Sequence, residues 1–463
     1  MKAVNVVREF ADFAVTLGEA AGPPSAEVMH HARRALVDWY AAALPGAVQA
    51  PATLLETALA EELDCGNATL LLGRKATVRA AALINGTAAH TVEFDDIFRD
   101  AIFHPGAPTI AAALAVAQSE GRNGEALLRA VIAGYEISTR IGVAMGRPHY
   151  RFWHTTGTVG CFGAAAAAGL LLGLNRQQFA HALATVATFA AGLQQAMRQD
   201  TESEAESMSK PLHAGRAAEA GVLAALAARA GVSGSFGAID GDAGFGHAMG
   251  NRALRTTGPD WLTATADLGR VFNITAMTFK NHACCGHTFA AIDGALELKA
   301  RMQISGNELA HVRVDTYQAA LDVADQREAH TAAQAKFSLA YVVAHALIHG
   351  RVRLDAFSAA RLTDPALRAL MHKVETAVDP ELDAGFPGRR AARVTVETVD
   401  GRSETWLQAT RKGDPDAPLS DAELDAKFHE LAVPVIGAAR AQELLRRLWS
   451  TESAANVRLL IQD

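Results

Sequence analysis

Alanine-rich apolar segments recur four times in this chain, and each follows a polar turn that carries glycine with histidine or lysine. They are HPGAPTIAAALAVA from His104, HTTGTVGCFGAAAAAGLLLGL from His154, KPLHAGRAAEAGVLAALAA from Lys210 and KNHACCGHTFAAIDGALEL from Lys280. Alanine has the highest intrinsic helix propensity, and its small side chain lets helices approach closely. The recurrence therefore predicts closely packed helices with polar groups at their entrances.

The periodicity is helical almost throughout up to about residue 250, which predicts a compact all-α domain. Ser25 is a predicted N-cap after the breakers that precede it, and residues 124–145 read as one long helix. The 463 residues are enough for two or three domains.

The pattern changes after about residue 269. HVRVDTY at 311–317 alternates as a half-buried strand does, and the runs on either side of Asp400-Gly401 predict a hairpin. FSLAYVVAHALIHG at 337–350 predicts a buried helix that ends at Gly350. Ser420 and Glu423 have the spacing of a capping box, and helices follow to about Trp449. The predicted fold class is mainly α: a large all-α helical domain, 1–271 together with 411–463, plus a smaller α+β domain, 272–410.

Composition excludes several classes of function. The net charge is −7 and no basic block is present, so nucleic acid is not an expected partner. Four cysteines are too few for a disulfide framework and fit a reducing compartment. The N-terminus reads as an amphipathic helix and the apolar runs are too short to span a bilayer. We therefore expect a cytoplasmic protein without a membrane partner.

The recurring helix entrances indicate an anion site. A helix N-terminus exposes unpaired N–H groups and the positive end of the helix dipole, and both attract anions. If the entrances converge, they form a pocket for a carboxylate-rich substrate, to which Lys210, Lys280 and Arg216 add positive charge. The alternative for each histidine is a cap or a structural hydrogen-bond partner.

Two clusters of polar residues accompany these entrances. The first cluster consists of Glu93, Asp95 and Asp96, of which Glu93 and Asp96 are spaced to share a helix face. These carboxylates could hold a catalytic proton or orient a neighbouring histidine or lysine; the alternative is a solvated acidic turn. The second cluster consists of His282, Cys284, Cys285 and His287. It lacks the paired Cys-x-x-Cys knuckle of structural zinc sites, so no metal is predicted.

The same segments resemble the MmgE/PrpD family, whose members include 2-methylcitrate dehydratase, cis-aconitate decarboxylase and iminodisuccinate epimerase. The resemblance rests on the EFDD…HPGAP stretch, HTTGTVGCFGAAAAAGLLLGL, SKPLHAGRAA, KNHACCGHTFAAID and AQAKFSLAYVVAHALIHG, in the family's order over most of the chain. It implies a large helical domain, a smaller α+β lid domain, a homodimer and a site without a cofactor, acting on di- and tricarboxylates.

The resemblance also implies the site residues. Carried over by motif, the catalytic candidates are Glu93, His104, His154, Lys210, Lys280 and Tyr317. Asp96, Arg216 and His287 are the substrate-binding candidates. Two departures from the family's pattern bear on the substrate: Glu93 stands where members often have aspartate, with Ile97-Phe98 in place of threonine and an aromatic residue. Asn-His-Ala follows Lys280 where many relatives have Pro-Tyr-Pro.

The reaction expected from the resemblance creates or quenches carbanion character beside a carboxylate. His104 and His154 are the predicted proton-transfer pair, Lys210 and Lys280 bind carboxylates, and Glu93 tunes one histidine. The first hypothesis is a hydro-lyase similar to 2-methylcitrate dehydratase. The alternatives are an epimerase of an aspartate-derived dicarboxylate, a decarboxylase of a cis-aconitate-like acid, and a binding protein without activity.

Overall fold

Helices dominate the part of the chain that the computed structural model describes, residues 5–20, 22, 24–197, 207–250 and 258–460. The α-helices are α1 (Val6–Glu19), α2 (Ala26–Ala47), α3 (Ala52–Ala58), α4 (Val78–Thr91), α5 (Gly106–Glu120), α6 (Gly124–Tyr150), α7 (Thr155–Thr158), α8 (Gly160–Leu171), α9 (Arg176–Val186), α10 (Ser209–Arg229), α11 (Phe245–Met249), α12 (Trp261–Thr265), α13 (Phe289–Met302), α14 (Gln318–Ala324), α15 (Ala332–Lys336), α16 (Leu339–His349), α17 (Ala359–Leu362), α18 (Pro365–Met371), α19 (Pro380–Gly385), α20 (Asp421–Ile436) and α21 (Ala438–Trp449). The strands are β1 (Leu63–Thr69), β2 (Lys75–Ala76), β3 (Leu309–Thr316), β4 (Val374–Val378), β5 (Ala392–Thr398) and β6 (Ser403–Gln408). The prediction of a mainly α chain is confirmed.

The chain divides into two units, one of Met1–Thr278 with Ser420–Asp463 and the other of Phe279–Leu419. The sequence prediction puts the division at 271/272 and 410/411, and the assignment of these parts as a helical domain and a lid stays a prediction. Among the described residues, no helix has the length and apolar character that crossing a membrane requires.

Alanine and glycine set the spacing of the helices in the first unit. α10 lies against α4 and α8, and α5 lies against α4 and α8 as well. Gly86 of α4 faces Gly215 of α10, where a Cβ on Gly86 would lie 3.0 Å from the Gly215 Cα atom. The contact is thus backbone against backbone, which only small residues allow. This close packing holds the entrances of α5 and α10 at one side of α4.

A buried lysine joins the C-terminal helices to this core. α20 begins with the predicted capping box of Ser420 and Glu423, which is confirmed, and packs against α2. Its Lys427 Nζ donates to Asp38 Oδ1 of α2 at 2.6 Å and to the Phe94 carbonyl at 2.8 Å. The ammonium also lies 4.2 Å from the centre of the Phe94 ring. Lys427 and Asp38 have no exposed surface, so each depends on the other for its charge.

The second unit contains a four-stranded sheet in the order β4-β3-β5-β6. β3 is parallel to β4 and antiparallel to β5, and β5 and β6 form the predicted hairpin, with Gly401 at φ 88° in its turn. α13 packs on β5 and β6. The buried helix α16 ends at Gly350 in the left-handed conformation, so the strand, hairpin and helix predictions for this region are confirmed.

We expect Lys427→Met to destabilise the first unit by about 3–5 kcal/mol, because it leaves the Asp38 carboxylate buried without its ammonium partner. Urea titration of the variant and the wild type gives the two free energies of unfolding and so measures this loss. Lys427→Met combined with Asp38→Leu should recover part of the loss. As a matched control, Arg446→Met removes an exposed ion pair with Glu443, and the free energy of unfolding should stay close to that of the wild type. Equal effects of Lys427→Met and Arg446→Met would contradict the role of the buried pair.

Candidate active site

The segment after α4 carries three carboxylates, those of Glu93, Asp95 and Asp96, and each has different partners. α4 ends at Thr91, and Glu93 follows with φ 60°, a backbone conformation that breaks the helix. The prediction that Glu93 and Asp96 share a helix face is therefore wrong. Lys427 holds the intervening Phe94 by its carbonyl and its ring, so each carboxylate can reach a separate partner.

Asp95 lies between two histidines. Its Oδ2 atom is 2.7 Å from His90 Nδ1 and 3.3 Å from His104 Nδ1, and the two imidazole rings meet edge to face with centroids 4.7 Å apart. Burial alone would raise the pKa of Asp95, but the two histidines hold it well below its usual range. An ionised carboxylate in this position stabilises positive charge on the imidazoles next to it.

Glu93 pairs with Lys210 in the first turn of α10. Both side chains are mostly buried, with exposed fractions of 11% and 16%. The prediction that Glu93 is the partner of His104 is corrected, because the carboxylate in contact with His104 is Asp95. Glu93 instead fixes the ammonium group of Lys210.

Asp96 is buried behind the entrance of α5. Its Oδ1 accepts the Gly106 N–H at 3.1 Å, and its Oδ2 accepts the Tyr135 hydroxyl at 2.7 Å. Burial and then the nearby Asp38 raise the pKa of Asp96 to about 8. A Cβ on Gly106 would lie 2.7 Å from both Asp96 Oδ1 and Tyr135 Oη, so this helix entrance requires glycine.

His154 is the residue that precedes the single turn of α7, and its ring is buried. The ring stacks on His90 with centroids 5.5 Å apart, and its Nδ1 lies 3.1 Å from Nδ1 of His213 on α10. Burial, then the neighbouring His90 and Lys210, hold the pKa of His154 well below its usual range. The same causes lower the pKa of the half-buried His213 to about 4. Both rings are therefore neutral near pH 7.

Three of the four predicted entrances thus meet in the first unit, with His104, His154 and Lys210 arranged around His90. The donor atoms of His90, Asp95 and His104 all lie within 4.8 Å of one another, close enough in principle for a metal ion. The distances from Asp95 to the two rings are those of hydrogen-bonded or ion-paired groups.

The second unit contains three of the predicted site residues, Lys280, His287 and Tyr317. Lys280 is buried there, and His287 Nδ1 lies 2.8 Å from the Tyr317 hydroxyl. The Tyr317 ring stacks on Phe386 at 4.5 Å, and burial raises the pKa of Tyr317 to about 12. Tyr317 is consequently a neutral hydroxyl that can donate or accept a hydrogen bond.

The His/Cys cluster and Arg216 do not form sites of the kind that the sequence suggests. His282 pairs with Asp293 at 2.8 Å and Cys284 contacts the Thr288 hydroxyl at 3.2 Å, so the His/Cys cluster faces several partners and not one centre. Arg216 lies on the exposed surface of α10 in an ion pair with Glu219. The structure therefore does not bring Arg216 to the histidine cluster.

Comparison with known proteins decides the family. Residues 8–256 match the MmgE/PrpD N-terminal domain, and residues 282–451 match the MmgE/PrpD C-terminal domain. The chain belongs to the MmgE/PrpD family. The resemblance predicted from its motifs is confirmed.

Several relatives of this MmgE/PrpD protein carry names of one activity. It is 29% identical to a cis-aconitate decarboxylase-like protein of Aspergillus oryzae, over 99% of this chain and 96% of the relative. It is 27% identical to cis-aconitate decarboxylase of Homo sapiens, over 82% of this chain and 78% of that protein. The enzyme of the same name from Mus musculus is 26% identical, over 79% and 74% of the two chains.

His90 and His213 of this MmgE/PrpD chain are not among the site residues predicted from the sequence, and Asp95 has no predicted role of its own. Asp95 is one of the three carboxylates after α4, and their order in the sequence does not tell which of them lies beside the histidines. A signal for His213 was present: it follows Lys210 by three residues, a spacing that puts both on one helix face. His90, five residues before Asp95, offered no periodic signal.

We expect Asp96→Asn to gain stability relative to the wild type as pH rises from about 4 to about 8. The folded protein keeps the Asp96 proton up to about pH 8, whereas an aspartate with the ordinary pKa of 3.8 loses it earlier. The stabilisation from this proton is complete below the unfolded pKa and is lost as pH rises through the folded pKa. The difference in unfolding free energy should grow by at most about 1.4 kcal/mol per pH unit.

Urea titrations of both proteins between pH 5 and 9 measure this difference. Asp400→Asn is a control of opposite sign, because hydrogen bonds from Thr398 and Arg402 lower the pKa of this exposed carboxyl. Its difference from the wild type should vary only at acid pH. A constant difference for Asp96→Asn across the range would contradict a proton held at Asp96.

Proposed function

We propose that this protein is a lyase that removes carbon dioxide from a cis-aconitate-like tricarboxylate. The observation that carries the proposal is the pair of histidines in opposite electrostatic settings. His104 lies against the ionised Asp95, and His154 is buried and neutral beside Lys210. The names of the decarboxylase relatives support this choice among the reactions of the family.

The chemistry of such a substrate requires these groups. When a β,γ-unsaturated acid loses carbon dioxide, the broken C–C bond supplies the electrons of a new double bond. The electrons of the old double bond then take up a proton at the far carbon. A catalyst must therefore hold the carboxylates that remain, stabilise the charge that develops on the carbon skeleton, and deliver one proton to carbon.

The first unit can supply each function. Lys210, fixed by Glu93, binds a carboxylate of the substrate. His104, with Asp95 beside it to support a positive charge on its ring, stabilises the developing enolate. His154 transfers the proton at carbon. Lys280, Tyr317 and His287 are further proposed site residues, on the family resemblance alone, and Asp96 acts by holding the Gly106 end of α5.

A hydro-lyase acting on a 2-methylcitrate-like hydroxy acid is the second candidate. The neutral state of His154 favours it, because a neutral imidazole accepts an α-proton while a charged His104 protonates the leaving hydroxyl group. Both reactions use the same residues in the same places. They differ in the group that leaves, so products separate them.

A panel of cis-aconitate, methylcitrate, citrate and aspartate-derived acids in deuterated buffer tests the proposal, with NMR as the readout. We expect cis-aconitate to release carbon dioxide and its product to carry one carbon-bound deuterium. An alkene formed from methylcitrate would favour the hydro-lyase. Exchange of an α-proton alone would identify an epimerase, and inert acids throughout would leave a binding protein.

Asp95→Asn should lower kcat by about 100-fold or more, because the amide removes the negative charge that supports His104. Steady-state rates of carbon dioxide release measure it, and circular dichroism checks the fold. A kcat within twofold of the wild type would exclude Asp95 from the mechanism.

Lys210→Met should raise KM by at least about tenfold, because the carboxylate of the substrate loses its ammonium partner. Arg216→Met is the matched control on the same helix, since Arg216 is exposed and paired with Glu219. We expect its KM to equal that of the wild type. A higher KM for Arg216→Met than for Lys210→Met would reverse the assignment.

A further inference from the structure

The contact between His154 and His213 fixes how protons are distributed on both rings. Their Nδ1 atoms are 3.1 Å apart, a hydrogen-bond distance. Two Nδ1–H groups would repel each other and two bare Nδ1 atoms would not bond, so one ring must donate and the other accept. The two neutral rings therefore hold opposite tautomers, and wherever one Nε2 carries a proton the other is bare.

The surroundings of the two rings are unequal. His154 is 2% exposed and stacks on His90, with Lys210 and His104 also facing it. A second positive charge in this place is unfavourable, so His154 alone is a poor store for a proton. His213 is only half-buried, and its ring is held between Gly157 and Gly192, where added Cβ atoms would lie 3.1 Å from His213 Cβ and 3.3 Å from His213 Nδ1.

We propose that His213 is a relay residue through which His154 exchanges its catalytic proton with solvent. The inference rests on the proposed function and adds a residue to it. His213 is not among the site residues that the family resemblance implies for this chain. Its role is to position His154 and to reset it, and it does not touch the substrate.

The transfer is balanced at every atom. In the delivering state His213 carries its proton on Nδ1 and His154 carries its proton on Nε2. A solvent proton binds His213 Nε2, the His213 Nδ1 proton moves to His154 Nδ1, and the His154 Nε2 proton moves to the substrate carbon. No ring gains net charge, and the one proton consumed by decarboxylation comes from water. After the product leaves, His154 Nε2 takes a proton from water, the His154 Nδ1 proton returns to His213 Nδ1, and His213 Nε2 releases its proton to solvent, which restores the delivering state. The opposite direction removes a proton from carbon, as dehydration requires.

The first test is ¹⁵N NMR of histidine-labelled protein at pH 7 without any ligand. We expect His154 and His213 to be neutral and in opposite tautomers. Two identical tautomers, or a positive charge on either ring, would overturn the relay. Because this measurement needs no substrate, a failure of the relay is distinguishable from a failure of the proposed decarboxylation.

The second test uses turnover of cis-aconitate or of whichever acid of the panel reacts. His213→Ala should lower kcat by about 100-fold with KM changed less than threefold, and added imidazole should restore kcat because the position is half-exposed. His213→Phe fills the space without a transferable proton and should not respond to imidazole. His213→Asn keeps a hydrogen bond to His154 and should remain slow although the fold is intact.

His181→Ala is the matched control, since His181 is a half-buried histidine of α9 that contacts Gly234. Its kcat should be unchanged. A His213→Ala protein that retains its fold and wild-type kcat would overturn the proposal, and so would a folded, slow His213→Ala protein whose kcat imidazole fails to restore.

Discussion

The buried ion pair of Lys427 and Asp38 is the interaction on which the rest of the candidate site depends. Lys427 comes from the C-terminal helices and also binds the Phe94 carbonyl, in the centre of the acidic segment. A lysine without exposed surface is costly unless its charge and its hydrogen bonds are satisfied. The hydrogen bond from Lys427 to the Phe94 carbonyl satisfies the buried ammonium group and also holds the backbone between Glu93 and Asp95. Glu93, which precedes Phe94, has a positive φ, and the three carboxylates reach three partners.

The three carboxylates differ in charge state because their partners differ. Asp95 is ionised between two histidines, Asp96 holds a proton, and Glu93 neutralises Lys210. Three acidic residues within four positions thus have three different charge environments, because each faces a different helix. The same division separates the histidines: His104 has a carboxylate beside it, while His154 has imidazoles and an ammonium.

Much of the architecture was predictable from the sequence, for reasons that lie in local physics. The Asp400-Gly401 turn, the capping box at Ser420 and the glycine after α16 depend on residues close together in the chain, and all three predictions are confirmed. The polar entrances at His104, His154 and Lys210 were recognised by motif. What the sequence could not supply was the choice of partner. Asp95 in place of Glu93 beside His104 follows from one backbone angle, and the Lys427 contact spans several hundred residues.

The motifs of the sequence and the names of the relatives favour different substrates. The hydro-lyase predicted first and the decarboxylase favoured by the comparisons use the same acid, base and cationic groups, so motif residues alone do not separate them. Glu93, one of the positions where the sequence departs from the pattern that the resemblance implies, pairs with Lys210. Glu93 reaches Lys210 with one methylene more than aspartate would, and so it influences where a bound carboxylate can lie.

The central claim is that the cluster around Lys210, His104 and His154 is where a tricarboxylate reacts. A crystal structure with propane-1,2,3-tricarboxylate, which lacks the double bond needed for turnover, tests it most directly. We expect one carboxylate in an ion pair with Lys210 Nζ and the carbon chain in contact with the His104 and His154 rings. Binding of the ligand away from these three residues, with the cluster unchanged, would rule out this cluster as the place of reaction.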